Sequence, residues 1–130
     1  MSDCVFCRIV DGKEPAKELW RGWRAMVIAP LNPVVPGHAL AIPFEHVKDF
    51  TDNKTMPVFE ALHAAVEYAR PFGGDFNLIT SKGPAATQSV FHLHWHIVPR
   101  AVDDGLTLPW TRNVTEVTPY PDPPNPNPSR

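Results

Sequence analysis

The sequence predicts an α+β domain, an antiparallel sheet with one main helix, and three features carry that expectation. Short apolar stretches punctuated by Gly and Pro recur on both sides of one longer amphipathic segment. That segment, Thr55 to Arg70, places Val58, Ala61, Leu62, Ala65, Val66 and Ala69 on one helical stripe. Finally, the run Phe91-His92-Leu93-His94-Trp95-His96-Ile97-Val98 alternates strictly, which is the period of a strand with one buried face.

In chain order, residues 4–11 suit a short helix stopped by Gly12. Lys17–Trp20 and Arg24–Ala29 read as two strands joined by the hairpin signal Arg21-Gly22-Trp23. Pro30, Pro33 and Pro36 exclude regular structure from the next segment, and Pro36-Gly37 marks a turn that delivers His38 to the strand Ala39–Pro43. Thr55 is the expected N-cap of the main helix, with Pro57 in its first turn. His63 on that helix reads as structural or solvated. A strand at Asp75–Thr80 leads through the small-residue loop 81–89 into the histidine run. Residues 119–130 carry six prolines and are expected to be an extended or disordered tail outside the fold.

A chain of 130 residues with 43% hydrophobic and 20% charged content is expected to be one soluble domain. There is no apolar run of the ~20 residues that a membrane span needs, and the N-terminus does not read as a signal peptide. The chain therefore reads as cytoplasmic. A net charge of −2 without a basic block gives no footprint for nucleic acid. Any bound phosphate must be held mainly by histidines, hydroxyls and backbone amides.

Three of the six histidines lie within five residues, each separated by one large apolar residue. On a strand, Leu93, Trp95 and Ile97 face a core while His92, His94 and His96 project from the other face. Imidazole titrates nearest neutrality and can serve as nucleophile, acid, base or metal ligand. Same-face residues lie about 6.6 Å apart, which puts His92 and His96 roughly 13 Å apart on a straight strand, too far to share one ion. Labour divided among the three is the more economical reading, against a metal pair or a solvated face. Cys4 and Cys7, spaced Cys-Val-Phe-Cys in a chain read as unsecreted, suit half of a Cys2His2 zinc site better than a disulfide, with two small buried residues as the alternative.

With these residues in view, the chain resembles the histidine-triad (HIT) nucleotide hydrolases and transferases. His92-Leu93-His94-Trp95-His96-Ile97-Val98 matches their His-φ-His-φ-His-φ-φ signature, where φ is an apolar residue. Cys4-Val5-Phe6-Cys7-Arg8-Ile9-Val10, the segment Leu31 to His38 ending in Pro-Gly-His, Ala41-Ile42-Pro43-Phe44-Glu45-His46 and Gln88-Ser89-Val90 resemble the family's other motifs, in order, over roughly residues 4–112. The resemblance implies a HIT domain over residues 1–118 with a five-stranded antiparallel sheet, and a homodimer that joins two such sheets. It further implies attack of His94 on the α-phosphorus of an adenosine-type nucleotide such as a phosphoramidate, an acyl-adenylate or a dinucleoside polyphosphate. A nucleotidyl-histidine intermediate would then be hydrolysed.

The same resemblance places His96 beside the leaving group, with its backbone carbonyl accepting the other ring N–H of His94, and makes His38 a fourth site histidine. Ser81, Gln88, Ser89 and Leu31 are the implied nucleotide and phosphate contacts, and Cys4, Cys7, His46 and His92 the implied ligands of a structural zinc. Trp110 is expected near the partner subunit's site. Three positions depart from the family pattern. Pro30 stands where many relatives carry an acidic residue for the ribose, Ser81 where Asn or Gln is common, and Thr87 where Gly is frequent. A nucleotide-binding module with negligible turnover is the alternative function.

Overall fold

The computed structural model describes residues 3–111, so the expected tail at 119–130 and the domain boundary at 118 lie outside the described residues. Five strands, β1 (Glu18–Arg21), β2 (Ala25–Ile28), β3 (Ala39–Pro43), β4 (Asp75–Ile79) and β5 (Trp95–Arg100), form one antiparallel sheet in the order β1-β2-β3-β5-β4. Helix α1 spans Val5–Val10 and helix α2 spans Thr55–Ala69. The expected α+β class, with one main helix, is what forms.

Both faces of the central strands are covered, which explains why every residue of β2 and β3 is buried. One set of alternate residues, Ala25, Val27, Ala39, Ala41 and Ile97, packs against Ala64 and Ala65 of α2. Alanine on both sides lets helix and sheet approach closely. The other set, Met26, Ile28, Leu40 and Ile42, meets Phe6 of α1, with Val5, Ile9 and Phe44 around it. Thus α2 lies on one side of the sheet and α1 on the other, on the side to which His96 belongs.

Local signals account for the boundaries. Cys4 caps α1, its Sγ accepting from the Cys7 N–H at 3.4 Å, and Gly12 ends the segment at φ +76°. In the hairpin, the Gly22 N–H donates to the Ala25 carbonyl at 2.8 Å. Gly37 turns the chain at φ +88°, and a side chain there would press on Pro99. Arg100, at the end of β5, holds the following turn through Asp104 at 2.7 Å and also binds Asn77 of β4 at 2.7 Å.

The structure corrects three local expectations. The histidine strand begins only at Trp95, leaving His92 and His94 on its lead-in. β3 ends at Pro43, so opposite this lead-in the Leu93 N–H bonds to the Val47 carbonyl and the His94 carbonyl to Thr80 Oγ1. Thr55 is the first helical residue and not the N-cap. Lys54 occupies the cap without a side-chain bond, because Asp52 already turns the chain there by accepting the Lys54 N–H. On α2 the buried positions are Pro57, Ala61, Ala64 and Ala65, whereas Val66 is exposed. No helix among the described residues is long and apolar enough to cross a membrane.

Candidate active site

Five of the six histidines gather on the α1 side of the sheet, in two groups joined by His94. His92 is fully buried, and its Nε2 lies 3.0 Å from the carbonyl of Pro43. A carbonyl only accepts, so the His92 proton sits on Nε2 and Nδ1 is bare. Three groups converge on that bare nitrogen: Cys4 Sγ at 3.4 Å, Cys7 Sγ at 3.5 Å and His46 Nδ1 at 3.1 Å. Burial, above all, holds His92 neutral by pushing its pKa down to about 4.

The donor atoms of Cys4, Cys7, His46 and His92 all lie within 4.8 Å of one another. Zinc–sulfur bonds of about 2.3 Å and zinc–nitrogen bonds of about 2.0–2.1 Å in a tetrahedron place sulfur about 3.5 Å from nitrogen, and nitrogen about 3.3 Å from nitrogen. The separations of 3.3 to 3.5 Å from sulfur to nitrogen and 3.1 Å between the nitrogens match this closely. The donor set, the bare Nδ1 and the outer bond from His92 to Pro43 all suit a metal of zinc's kind.

His94 follows the same logic in a different setting. Its Nδ1 lies 2.9 Å from the carbonyl of His92, so Nδ1 carries the proton and Nε2 is unprotonated. The acceptor is the carbonyl of His92, and not that of His96 as the resemblance suggested. With period two in an extended lead-in, the ring at one position leans back over the peptide two residues earlier. Burial lowers the pKa of His94, and the edge of Phe6 packs 5.2 Å from its ring. The result is a neutral imidazole with a free lone pair.

His38 and His96 form the second group. The Val34 N–H donates to His38 Nδ1 at 3.1 Å, so the proton of His38 is on Nε2. That proton points at His96 Nδ1, 3.0 Å away. His96 therefore keeps its own proton on Nε2, with its ring 5.0 Å from that of His94. Burial first, then the neighbouring His94 and His38, push the pKa of His96 down to about 4, while burial lowers that of His38. One backbone amide thus fixes two tautomers in series and leaves a hydrogen-bond donor beside a bare nucleophile.

The remaining expected contacts divide. Ser81 is half-buried and Ser89 exposed, both on the loop that leads into the histidines. Gln88 is only 4% exposed: its Oε1 accepts from the Gly83 N–H at 2.8 Å, while its Nε2 donates to the carbonyls of Lys48 at 2.8 Å and Val90 at 3.2 Å. Its side chain braces this loop and is not available to a phosphate. Leu31 is 96% exposed in the proline-bearing loop, and no contact places it among the histidines. His63 is solvated, 3.5 Å from Glu67. Thr87 sits at φ +72°, in the left-handed region that favours glycine. Sequence reasoning missed Val34, Pro43 and Thr80, which act through backbone or hydroxyl groups and carry no signature.

Residues 13–103 match the model of the HIT domain family. The adenylylsulfatase HINT3 of Arabidopsis thaliana is 38% identical over 112 residues, which are 81% of this chain and 56% of that protein. The adenosine 5'-monophosphoramidase hnt1 of Schizosaccharomyces pombe is 29% identical over 109 residues, 82% of each chain. Among solved structures, a HIT family hydrolase from Clostridium thermocellum superposes with a TM-score of 0.70 at 33% identity, covering 78% of this chain and 93% of that one. The chain belongs to the HIT domain family.

Proposed function

We propose that this protein is a nucleotide hydrolase or transferase that works at the α-phosphate of adenosine-type nucleotides, with His94 as nucleophile. The observation that carries the reading is the bond from His94 Nδ1–H to the His92 carbonyl, which leaves Nε2 bare. In the first step Nε2 attacks the α-phosphorus. A P–N bond forms and the bond to the leaving group breaks with its electron pair; that group accepts a hydrogen bond from His96 Nε2–H and takes its proton from water. Water then attacks the same phosphorus, the P–N bond breaks with its electron pair returning to His94 Nε2, and the water's proton passes to solvent. Splitting the displacement in two is the benefit of nucleophilic catalysis. The named activities of the plant and yeast relatives, both on adenylyl compounds, support this substrate class.

Cys4, Cys7, His46 and His92 would hold a structural zinc, which when bound ties α1 to the residues after β3 and to the histidine run. The protein is further proposed to be a cytoplasmic homodimer. Among the described residues β4 is an edge strand, paired with β5 on one side only; its Leu78 is exposed, and beside it Phe50 and Phe59 are exposed as well. Trp95, whose Nε1 is buried without an acceptor among the described residues, lines the same hollow as Trp110, a face suited to a second copy.

Incubation with adenosine 5'-phosphoramidate, followed by rapid acid-free quenching and peptide mass analysis, tests the proposal. An adenylyl adduct on the peptide bearing His94 is expected, and His94→Ala should lower kcat by at least about a thousandfold while nucleotide binding persists. Turnover by His94→Ala near the wild-type rate would refute it.

A further inference from the structure

The α2 side of the sheet, opposite the five site histidines, carries an open groove of about 430 Å³ between the β1–β2 hairpin and α2, with His63 in its lining. Trp20, Trp23, Met56 and Phe59 line it, with Arg24 and Glu60 at its edge. Trp23 is 84% exposed, and Met56 and Phe59 are also exposed. So much contiguous apolar surface on a small domain marks a place where something docks. The rim is already ordered: the Arg24 guanidinium lies 4.6 Å over the Trp23 ring and 3.8 Å from Glu60.

We propose that this groove is the docking site of the chain's own proline-rich segment, residues 119–130. Six of those twelve residues are proline (Pro119, Pro121, Pro123, Pro124, Pro126 and Pro128). Proline has no N–H to add to a sheet edge, and its fixed φ favours the polyproline II helix, which recognition grooves lined by aromatic rings accept. With three residues per turn, Pro121 and Pro124 share one face of such a helix and Pro123 and Pro126 another. Asp122, the only acidic residue of the segment, has a counterpart in Arg24 on the groove's rim, whose side chain is 56% exposed beside Glu60.

The reach is sufficient. Phe59 lines both the groove and the hollow that Trp110 lines. The described residues therefore end beside a hollow that shares a wall with the groove. Residues 112–118, seven in number, span up to ~23 Å when extended. A tether of this length gives an effective concentration on the order of millimolar, so even a weak contact is populated.

Hydroxyl-radical footprinting of the full chain tests this. Replacing Pro121, Pro123, Pro124 and Pro126 together by Ser should speed oxidation of Trp23 and Met56 about threefold, the ratio expected from about two-thirds occupancy. Phe91, exposed at the start of the histidine run, should be unaffected and serves as the dose control. Equal oxidation rates at Trp23 and Met56 in both proteins would overturn the proposal. Protection in the wild type should not change on dilution, because the segment is tethered. Protection that fades on dilution would assign the groove to another copy's segment and overturn docking within the chain.

Discussion

Replacing Gln88 by Ala separates two accounts of the loop that precedes the histidines. Gln88 resembles a nucleotide contact in sequence, yet its side chain is buried and makes three hydrogen bonds, to Gly83, Lys48 and Val90. Removing it orphans one N–H and two carbonyls. At about 1 kcal/mol net per bond the loss approaches 3 kcal/mol, and partial entry of water reduces it to about 2–3 kcal/mol. For a domain of this size that is a fall in Tm of roughly 8–12 °C. Gln88→Glu should be nearly as damaging, because a carboxylate cannot donate to the Lys48 and Val90 carbonyls. Thermal unfolding followed by circular dichroism, alongside kcat and KM below the transition, provides the assay. A Tm within about 1 °C of wild type, accompanied by a raised KM, would show that the side chain meets substrate and that the bracing account is wrong.

Three further outcomes follow from the same geometry. Protein purified without chelator should carry one zinc per chain by elemental analysis, and Cys4→Ser should lose both the metal and several degrees of Tm; a stoichiometry near zero after zinc supplementation would remove the site. Thr87→Gly should stabilise the fold by up to about 1 kcal/mol, since a β-branched residue is strained at φ +72°; any loss of stability in denaturant titration would contradict that strain. His96, held neutral with a folded pKa of about 4 against an ordinary 6.5, binds its proton more readily when unfolded. Unfolding free energy should therefore fall as pH drops from about 6.5 toward about 4 and stay flat above, with a shallower fall in His96→Gln; identical slopes would refute the assignment.

Much of this was readable in the residues. Period-two alternation gave the core role of Leu93 and Ile97, both fully buried, and the same argument kept His92 and His96 from sharing one ion. The structure divides them in that way, His92 toward Cys4 and Cys7 and His96 toward His38. Illegible were the features set by backbone groups. Nothing in a sequence says that Pro43 would offer its carbonyl to His92, or that the His92 carbonyl would be the one to orient His94. Tertiary packing likewise overrode the helical stripe: α2 packs Ala64 against Ala25, Ala39 and Ala41, where small residues on both sides let helix and sheet approach closely, and Val66 is left outside.

The tautomers explain why the pattern needs histidine at every second position. Each ring has two nitrogens, and in His92 and His94 the backbone occupies one while chemistry claims the other. His92 gives Nε2 to Pro43 and turns Nδ1 toward the thiols, whereas His94 gives Nδ1 to the His92 peptide and keeps Nε2 bare. His96 takes its proton arrangement from His38, which takes its own from the Val34 amide. A shift of one residue would turn a ring to the α2 side, and a spacing of three would remove it from the peptide that orients it. His92 is the hinge of the arrangement, because its side chain belongs to the Cys4–Cys7 cluster while its carbonyl sets the lone pair of His94. Whatever fixes that cluster in place therefore also fixes the direction of attack, through a single peptide and with no intervening side chain.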